Sequence, residues 1–261
     1  MEIEKIRAGI QSVEVGFTLL DTLARAVGPL MLRDLAASAS MSPAKAHRYL
    51  VSFQRLGLVV QDPSTTRYDL GPAALRLGLA SLSRINAVKL ARERIAPLML
   101  KIGHTLALAV WGNHGPTIVH WEESPMAVTV NLRLGDVMPL LSSATGRCFA
   151  AYLSQEAIEP MLAQEMLIAQ KSGRTDLPQS PRALDDALKE VRLQGLARAE
   201  NALLPGIAGF CAPVFDYDGH MVLGLVALGS LATFDTRWDS AVALALKAAA
   251  AQLSRDLGQR N

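Results

Sequence analysis

Between positions 42 and 52 the chain reads Ser42-Pro43-Ala44-Lys45-Ala46-His47-Arg48-Tyr49-Leu50-Val51-Ser52. Ser42 suits the N-cap of a helix, and Pro43 fits a first turn that has no use for an amide hydrogen. Helical spacing turns Ala46, Leu50, Phe53 and Leu56 to one side, leaving Lys45, His47, Arg48 and Ser52 wholly or partly outside that stripe. Cations and hydroxyls so placed, at the positive end of a helix, suit a polyanion: Lys and Arg reach phosphates, and polar groups reach base edges. A second concentration is His104, His114, His120, Glu122 and Glu123, with spacing H-x5-H-x-E. That spacing suggests metal ligation or acid–base work, but it lacks the helical two-His geometry of metalloprotease motifs and runs into Pro125, so no metal site is expected. Cys148 and Cys211 match neither a zinc spacing nor a disulfide framework and read as reduced, buried thiols. No G-x-x-x-x-G-K-[ST] loop or dinucleotide fingerprint is present, so neither a cofactor nor an enzyme is expected.

The elements that must position the first cluster are legible on either side of it. Val13, Phe17, Leu20, Leu23 and Ala24 predict an amphipathic helix that ends at Gly28-Pro29, and Leu32, Leu35 and Ala36 a second one before the turn at 39–41. Gly57 stops the third helix. Leu58–Gln61 and Arg67–Leu70, joined by Asp62-Pro-Ser-Thr-Thr66, predict a hairpin. Three helices and a hairpin are the plan of a winged helix-turn-helix. After the apolar helix at 73–86, a helix is predicted over 87–103 and strands over 106–111, 117–121 and 127–132. Helices near 154–169 and 181–194, strands over 210–215 and 221–228 and a closing helix over 236–258 complete an α+β domain.

Composition narrows the class. Half of the 261 residues are apolar, 19% are charged and 5% aromatic, the balance of a globular protein whose core is Leu, Ala and Val. No apolar run reaches the roughly 18–20 residues of a spanning helix, and a cytoplasmic location without membrane association is expected. Net charge is +2, unevenly placed: residues 1–86 hold 10 Lys/Arg against 7 Asp/Glu, and 87–261 hold 16 against 17. The positive excess lies in the part that carries the cation-bearing helix.

Taken together, LRDLAASASMSPAKAHRYLVSFQRLGLVVQDPSTTRYDLGPAALRLG, GDVMPLLSSATGRCFAAYL and GIAGFCAPVFDYDGHMVLGLVALGS resemble the isocitrate lyase regulator (IclR) family of bacterial transcription factors over nearly the whole chain. The resemblance implies a winged helix-turn-helix DNA-binding domain at 1–72, a linker helix at 73–86 and a GAF-like effector-binding domain at 87–261. It implies that Ser42, Pro43, Ala44, Lys45, His47, Arg48, Tyr49 and Ser52 face operator DNA, joined by Thr65, Thr66 and Arg67 from the wing and Arg7 from an N-terminal arm. Pro43-Ala44-Lys45 stands where relatives often carry Lys-Ser-Thr, so docking carries over and base preference does not. A homodimer or dimer of dimers on a palindromic site is implied, in a repressor of a catabolic operon. The alternative is a small-molecule-binding protein that has lost specific DNA binding.

The resemblance also places an effector site beside Ser142-Ser-Ala-Thr-Gly146-Arg147. Backbone amides at the start of the following helix suit a carboxylate, with Ala144 and Thr145 as donors, Gly146 beside them at the site and Arg133 and Arg147 as counter-charges. Positions that are polar in glyoxylate- and pyruvate-sensing relatives fall on Ala199, Gly209, Val226 and Leu228, none of which hydrogen-bonds through a side chain. Such a wall predicts a small aromatic or hydrophobic carboxylate.

Overall fold

The computed structural model describes residues 9–82, 86–125, 132–174 and 176–259; the predicted strand at 127–132 and the arm residue Arg7 fall largely or wholly outside them. Two compact units are present, Met1–Ile85 and Asn86–Asn261.

The first unit contains α1 (Gln11–Arg25), α2 (Leu32–Ser38), α3 (Pro43–Arg55), β1 (Val59–Gln61), β2 (Tyr68–Leu70) and α4 (Pro72–Leu82). Ser42 caps α3 by accepting from the Lys45 N–H, and Pro43 occupies its first turn. Strands β1 and β2 pair antiparallel, and Leu30 adds an isolated bridge to β2 by exchanging hydrogen bonds with Tyr68 (3.0 and 2.8 Å). Leu19, Leu23, Leu35, Leu50, Val59 and Tyr68 fill the core.

The inward face of α1 differs from the predicted one. Gly16, Leu19 and Leu23 are buried, whereas Val13 and Phe17 are 64% and 63% exposed. The helix carries two apolar stripes, and Gly16 decides between them. A Cβ there would lie 3.0 Å from Phe53 Cζ and 3.1 Å from Tyr49 Cδ1, so only the glycine line lets α3 approach this closely. Leu56 is likewise exposed rather than inward, because the helix ends at Arg55 and the chain turns away at Gly57 (φ +70°).

The second unit runs α5 (Ala87–Ile102), β3 (Thr105–Gly112), β4 (Gly115–Glu122), α6 (Ala144–Tyr152), α7 (Gln155–Ser172), α8 (Pro181–Gln194), β5 (Ala197–Glu200), β6 (Ile207–Phe215), β7 (Met221–Ser230) and α9 (Ala241–Asp256). The five strands among its described residues form one antiparallel sheet in the order β4-β3-β7-β6-β5. Strand alternation sends Leu106, Leu108, Phe210, Leu223, Leu225 and Ala227 towards α5 and α9. It sends Ala107, Ala109, Cys211 and Val226 the other way, against Cys148 and Phe149 of α6 and Val191 of α8. Strand β5, absent from the sequence prediction, is a four-residue edge strand whose Ala197 and Ala199 point inward beneath outward Arg198 and Glu200.

Candidate functional site

On α3, Lys45, Arg48, Tyr49 and Ser52 line one shallow groove on the outer surface, with His47 and the Ser42-Pro43-Ala44 start exposed beside them. Tyr49 is held half-buried against Gly16 and tilted onto Phe53 with ring centroids 6.5 Å apart, so its position is set by α1.

The wing is organised by a residue that sequence reasoning passed over. Asp62 Oδ1 accepts from the Ser64 hydroxyl (2.6 Å), the Ser64 N–H (2.7 Å) and the Thr65 N–H (3.1 Å), and these bonds hold its carboxyl below the usual range. Asp two residues ahead of a Ser-Thr tip was the available signal. Thr66 sits at φ +57°, a left-handed conformation that a β-branched residue seldom adopts. Arg67, although exposed, is not a free arm: its Nη1 donates to the Pro29 carbonyl at 3.1 Å and ties the wing to the loop after α1.

In the second unit, Ala144, Thr145, Ala199, Gly209, Val226 and Leu228 line a single pocket that opens to solvent. Register brings them together. Ala199 pairs with Gly209 and Gly209 with Leu228, a row across β5, β6 and β7, while Val226 pairs with Cys211 one step along. The start of α6 meets this row. Ser143 caps the helix, accepting the Gly146 N–H at 2.8 Å and donating to the Pro139 carbonyl at 2.6 Å. Among the described residues no acceptor faces the N–H of Ala144 or Thr145, and these two donors stand at the pocket.

Three of the nine effector residues named from sequence do not line the pocket. The Gly146 N–H is consumed by Ser143, and its missing side chain serves packing: a Cβ would fall 1.9 Å from the Pro139 oxygen. Arg147 is mostly buried, with Nε donating to Leu141 O (2.7 Å) and Nη1 to Arg198 O (2.8 Å); burial lowers its pKa, against the nearby Asp176 and Glu190. A guanidinium committed to two carbonyls is a clamp between α6 and β5. Arg133 is exposed, its backbone N–H donating to Asp136. Leu132, Met138, Ala202, Leu203, Leu204, Ile207 and Ala208, none of them anticipated from sequence, complete the wall together with the cap residue Ser143. The available signal was two leucines in a loop bounded by Pro205-Gly206, where polar residues are the rule.

The histidine and cysteine clusters resolve separately. His104 stacks on Phe234 at 4.8 Å and burial lowers its pKa, while His120 Nε2 lies 3.5 Å from Glu122. Among the described residues no three His, Cys, Asp or Glu side chains converge as a metal set. Cys148 and Cys211 are buried free thiols, and burial, reinforced by the neighbouring Cys211, pushes the Cys148 thiol well up. That environment disfavours a reactive thiolate.

A winged helix-turn-helix joined to a mixed α/β unit defines a DNA-binding regulator. The family model described as IclR helix-turn-helix domain matches residues 12–63, and the one described as Bacterial transcriptional regulator IclR C-terminal matches 79–255. The chain belongs to the IclR family of transcriptional regulators, a family of regulators rather than enzymes. It is similar to the crystal structure of Pseudomonas aeruginosa HmgR, with a TM-score of 0.88 and 35% identity over 97% of this chain and 100% of that one. It is 30% identical to the glycerol operon regulatory protein of Streptomyces griseus over 95% of this chain and 97% of the relative. With the DNA-binding transcriptional repressor YiaJ of Escherichia coli the identity is 27%, over 85% and 79%. No described helix is long and apolar enough to cross a membrane.

Proposed function

We propose that the protein is a repressor of a catabolic operon, released or strengthened on its operator by a small aromatic or otherwise hydrophobic carboxylate bound in the second unit. One observation carries the effector class: Ala144 and Thr145, whose backbone N–H groups at a helix start meet no acceptor among the described residues, line a pocket whose strand wall is Ala199, Gly209, Val226 and Leu228. The amides and the helix dipole receive the carboxylate. The apolar wall replaces water around a ring or alkyl chain, at about 25 cal/mol per Å² buried. Glyoxylate, with almost no apolar surface, gains little from that wall. Repression and a catabolic target are supported by relatives named as a repressor and as the regulator of a glycerol operon.

The DNA-facing residues of this reading are Ser42, Pro43, Ala44, Lys45, His47, Arg48, Tyr49 and Ser52 on α3, with Thr65 and Thr66 at the wing. Arg67 serves mainly to fix that wing. One winged unit buries too little surface for a tight specific complex, so two copies act on a palindromic site with half-sites about one helical turn apart or a multiple of it. The exposed apolar face of α1, with Val13 and Phe17, and exposed Leu75, Leu77 and Leu79 on α4 supply surface for such self-association.

The test is a mobility shift at fixed salt with DNA from upstream of its own gene and scrambled DNA as control, across aromatic and aliphatic acids. A specific complex altered by an aromatic acid is expected. Absence of a specific complex would favour the ligand-binding protein without DNA recognition, and a response to glyoxylate alone would overturn the effector class.

A further inference from the structure

We propose that Glu165 is the positioning residue of the ligand pocket: from α7 it fixes the turn at 139–143, and through that turn the two N–H groups that receive the carboxylate. This rests on the pocket reading above. Glu165 is not among the residues that line that pocket. Its Oε1 accepts from the Leu140 N–H at 2.7 Å and its Oε2 from the Leu141 N–H at 2.9 Å. The same turn is gripped again: the Leu141 carbonyl accepts from Arg147 Nε at 2.7 Å, and the Pro139 carbonyl from the Ser143 hydroxyl at 2.6 Å. Ser143 then accepts the Gly146 N–H, which fixes the first turn of α6. A continuous line of bonds therefore joins the Glu165 carboxylate to the helix start, where the amides of Ala144 and Thr145 meet no acceptor among the described residues.

The chemistry of the group fits positioning better than simple filling. Glu165 lies in a cleft among Val137, Met161, Ile168 and Leu177, with Arg174 the other ionisable side chain lining that cleft. Burial raises its pKa while the two N–H bonds hold it down. An ionised carboxylate has an acceptor on each oxygen, so it can take both amides at once; a glutamine would turn an NH₂ donor onto one of them. A residue needed only for volume would be served as well by an apolar side chain, without the cost of desolvating a charge.

Isothermal titration of the full-length protein with phenylacetate and with phenylacetamide separates positioning from stability. The two probes share their ring and differ in the charge offered to the amides. Glu165→Gln is expected to weaken phenylacetate about tenfold or more and phenylacetamide by no more than about threefold, since charge-assisted hydrogen bonds lose most when misaligned. Glu165→Asp, which keeps the charge one methylene short, should show the same acid-selective loss at smaller size. Met161→Ala, in the same cleft but without a bond to the turn, should lower stability and leave the ratio of the two affinities unchanged. A ligand-free measurement runs alongside: hydrogen exchange over 140–147 should quicken in Glu165→Gln while α9 keeps its protection. Equal losses for acid and amide, or unchanged exchange at 140–147, would overturn the role of Glu165 with the pocket reading intact. Failure of the wild-type protein to bind phenylacetate or any other aromatic acid would overturn the pocket reading and this role with it.

Discussion

Gly146→Ala adds one methyl group at the place where α6 leaves the turn, and its cost follows from the geometry. The new Cβ would lie 1.9 Å from the Pro139 oxygen and 2.5 Å from both the Pro139 carbonyl carbon and Leu140 Cα. A carbon and a carbonyl oxygen approach to about 3.3 Å, so turn and helix must part by about 1.4 Å. All three clashing atoms are backbone, which cannot swing aside as a long side chain would. Separation breaks the Ser143–Pro139 bond and misplaces the cap that Ser143 gives Gly146. Loss of a cap costs about 1 kcal/mol, loss of a hydrogen bond about 1 and overpacking about 1–3, against about 1 regained from alanine's helix propensity. The net expectation is about 2–4 kcal/mol of destabilisation. All three tryptophans, Trp111, Trp121 and Trp238, lie in the second unit, so their fluorescence during urea unfolding reports that unit alone. Displacing the Ala144 and Thr145 amides should also weaken an aromatic acid about tenfold or more. A midpoint within about 0.5 kcal/mol of wild type together with undiminished acid binding would refute the reasoning, because it would mean the turn and α6 are not in contact as described.

Further outcomes are expected elsewhere in the molecule. Lys45→Ala or Arg48→Ala should flatten the dependence of log K on log salt by about 0.9 for each phosphate no longer neutralised, so by about 2 in a dimer, measured by fluorescence anisotropy on operator DNA; an unchanged slope would remove the residue from the phosphate-facing set. Val226→Ser should weaken binding of aromatic acids about fivefold to tenfold without weakening glyoxylate, as read by calorimetry, because it replaces pocket-facing apolar surface by a hydroxyl. Burial lowers the His104 pKa from 6.5 in the folded protein, so the unfolded chain takes up its proton first as pH falls. Stability from this group is present above pH 6.5 and declines as pH drops through that value towards the folded pKa. His104→Gln should therefore flatten the fall in melting temperature between pH 8 and 5.5.

Much of this architecture is written in local chemistry. Ser42-Pro43 at the start of α3 and Gly57 at its end bound the helix because caps and breakers act within a few residues. The face of α1 was not legible in the same way. Val13–Phe17–Leu20 and Leu19–Leu23 are both acceptable apolar stripes, and the choice depends on how closely Tyr49 and Phe53, more than thirty residues away, approach Gly16. Strand β5 escaped notice because Ala-Arg-Ala-Glu is short, and half its residues are charged on the outer side of a sheet edge. At the pocket, Ala199, Gly209, Val226 and Leu228 could be named from their likeness to a family, but the reason they meet is register across three strands. The sequence position of Arg147 was uninformative for a related cause: a cation near a candidate site in sequence says nothing of carbonyls that already occupy it. Arg147 spends its donors on Leu141 and Arg198.

Strand β7 is read from two sides. Val226 and Leu228 border the pocket, while Leu225 and Ala227, their immediate neighbours, sit in the core shared with α5 and α9. No side chain longer than leucine separates the two environments, and the strand itself is one residue thick. An occupant of the proposed pocket would therefore bear on a strand whose opposite face packs against α5 and α9, with Leu225 bordering a small cleft lined by Ala91, Ile95 and Leu98 of α5. The wall of the proposed ligand site is also part of the surface on which α5 packs.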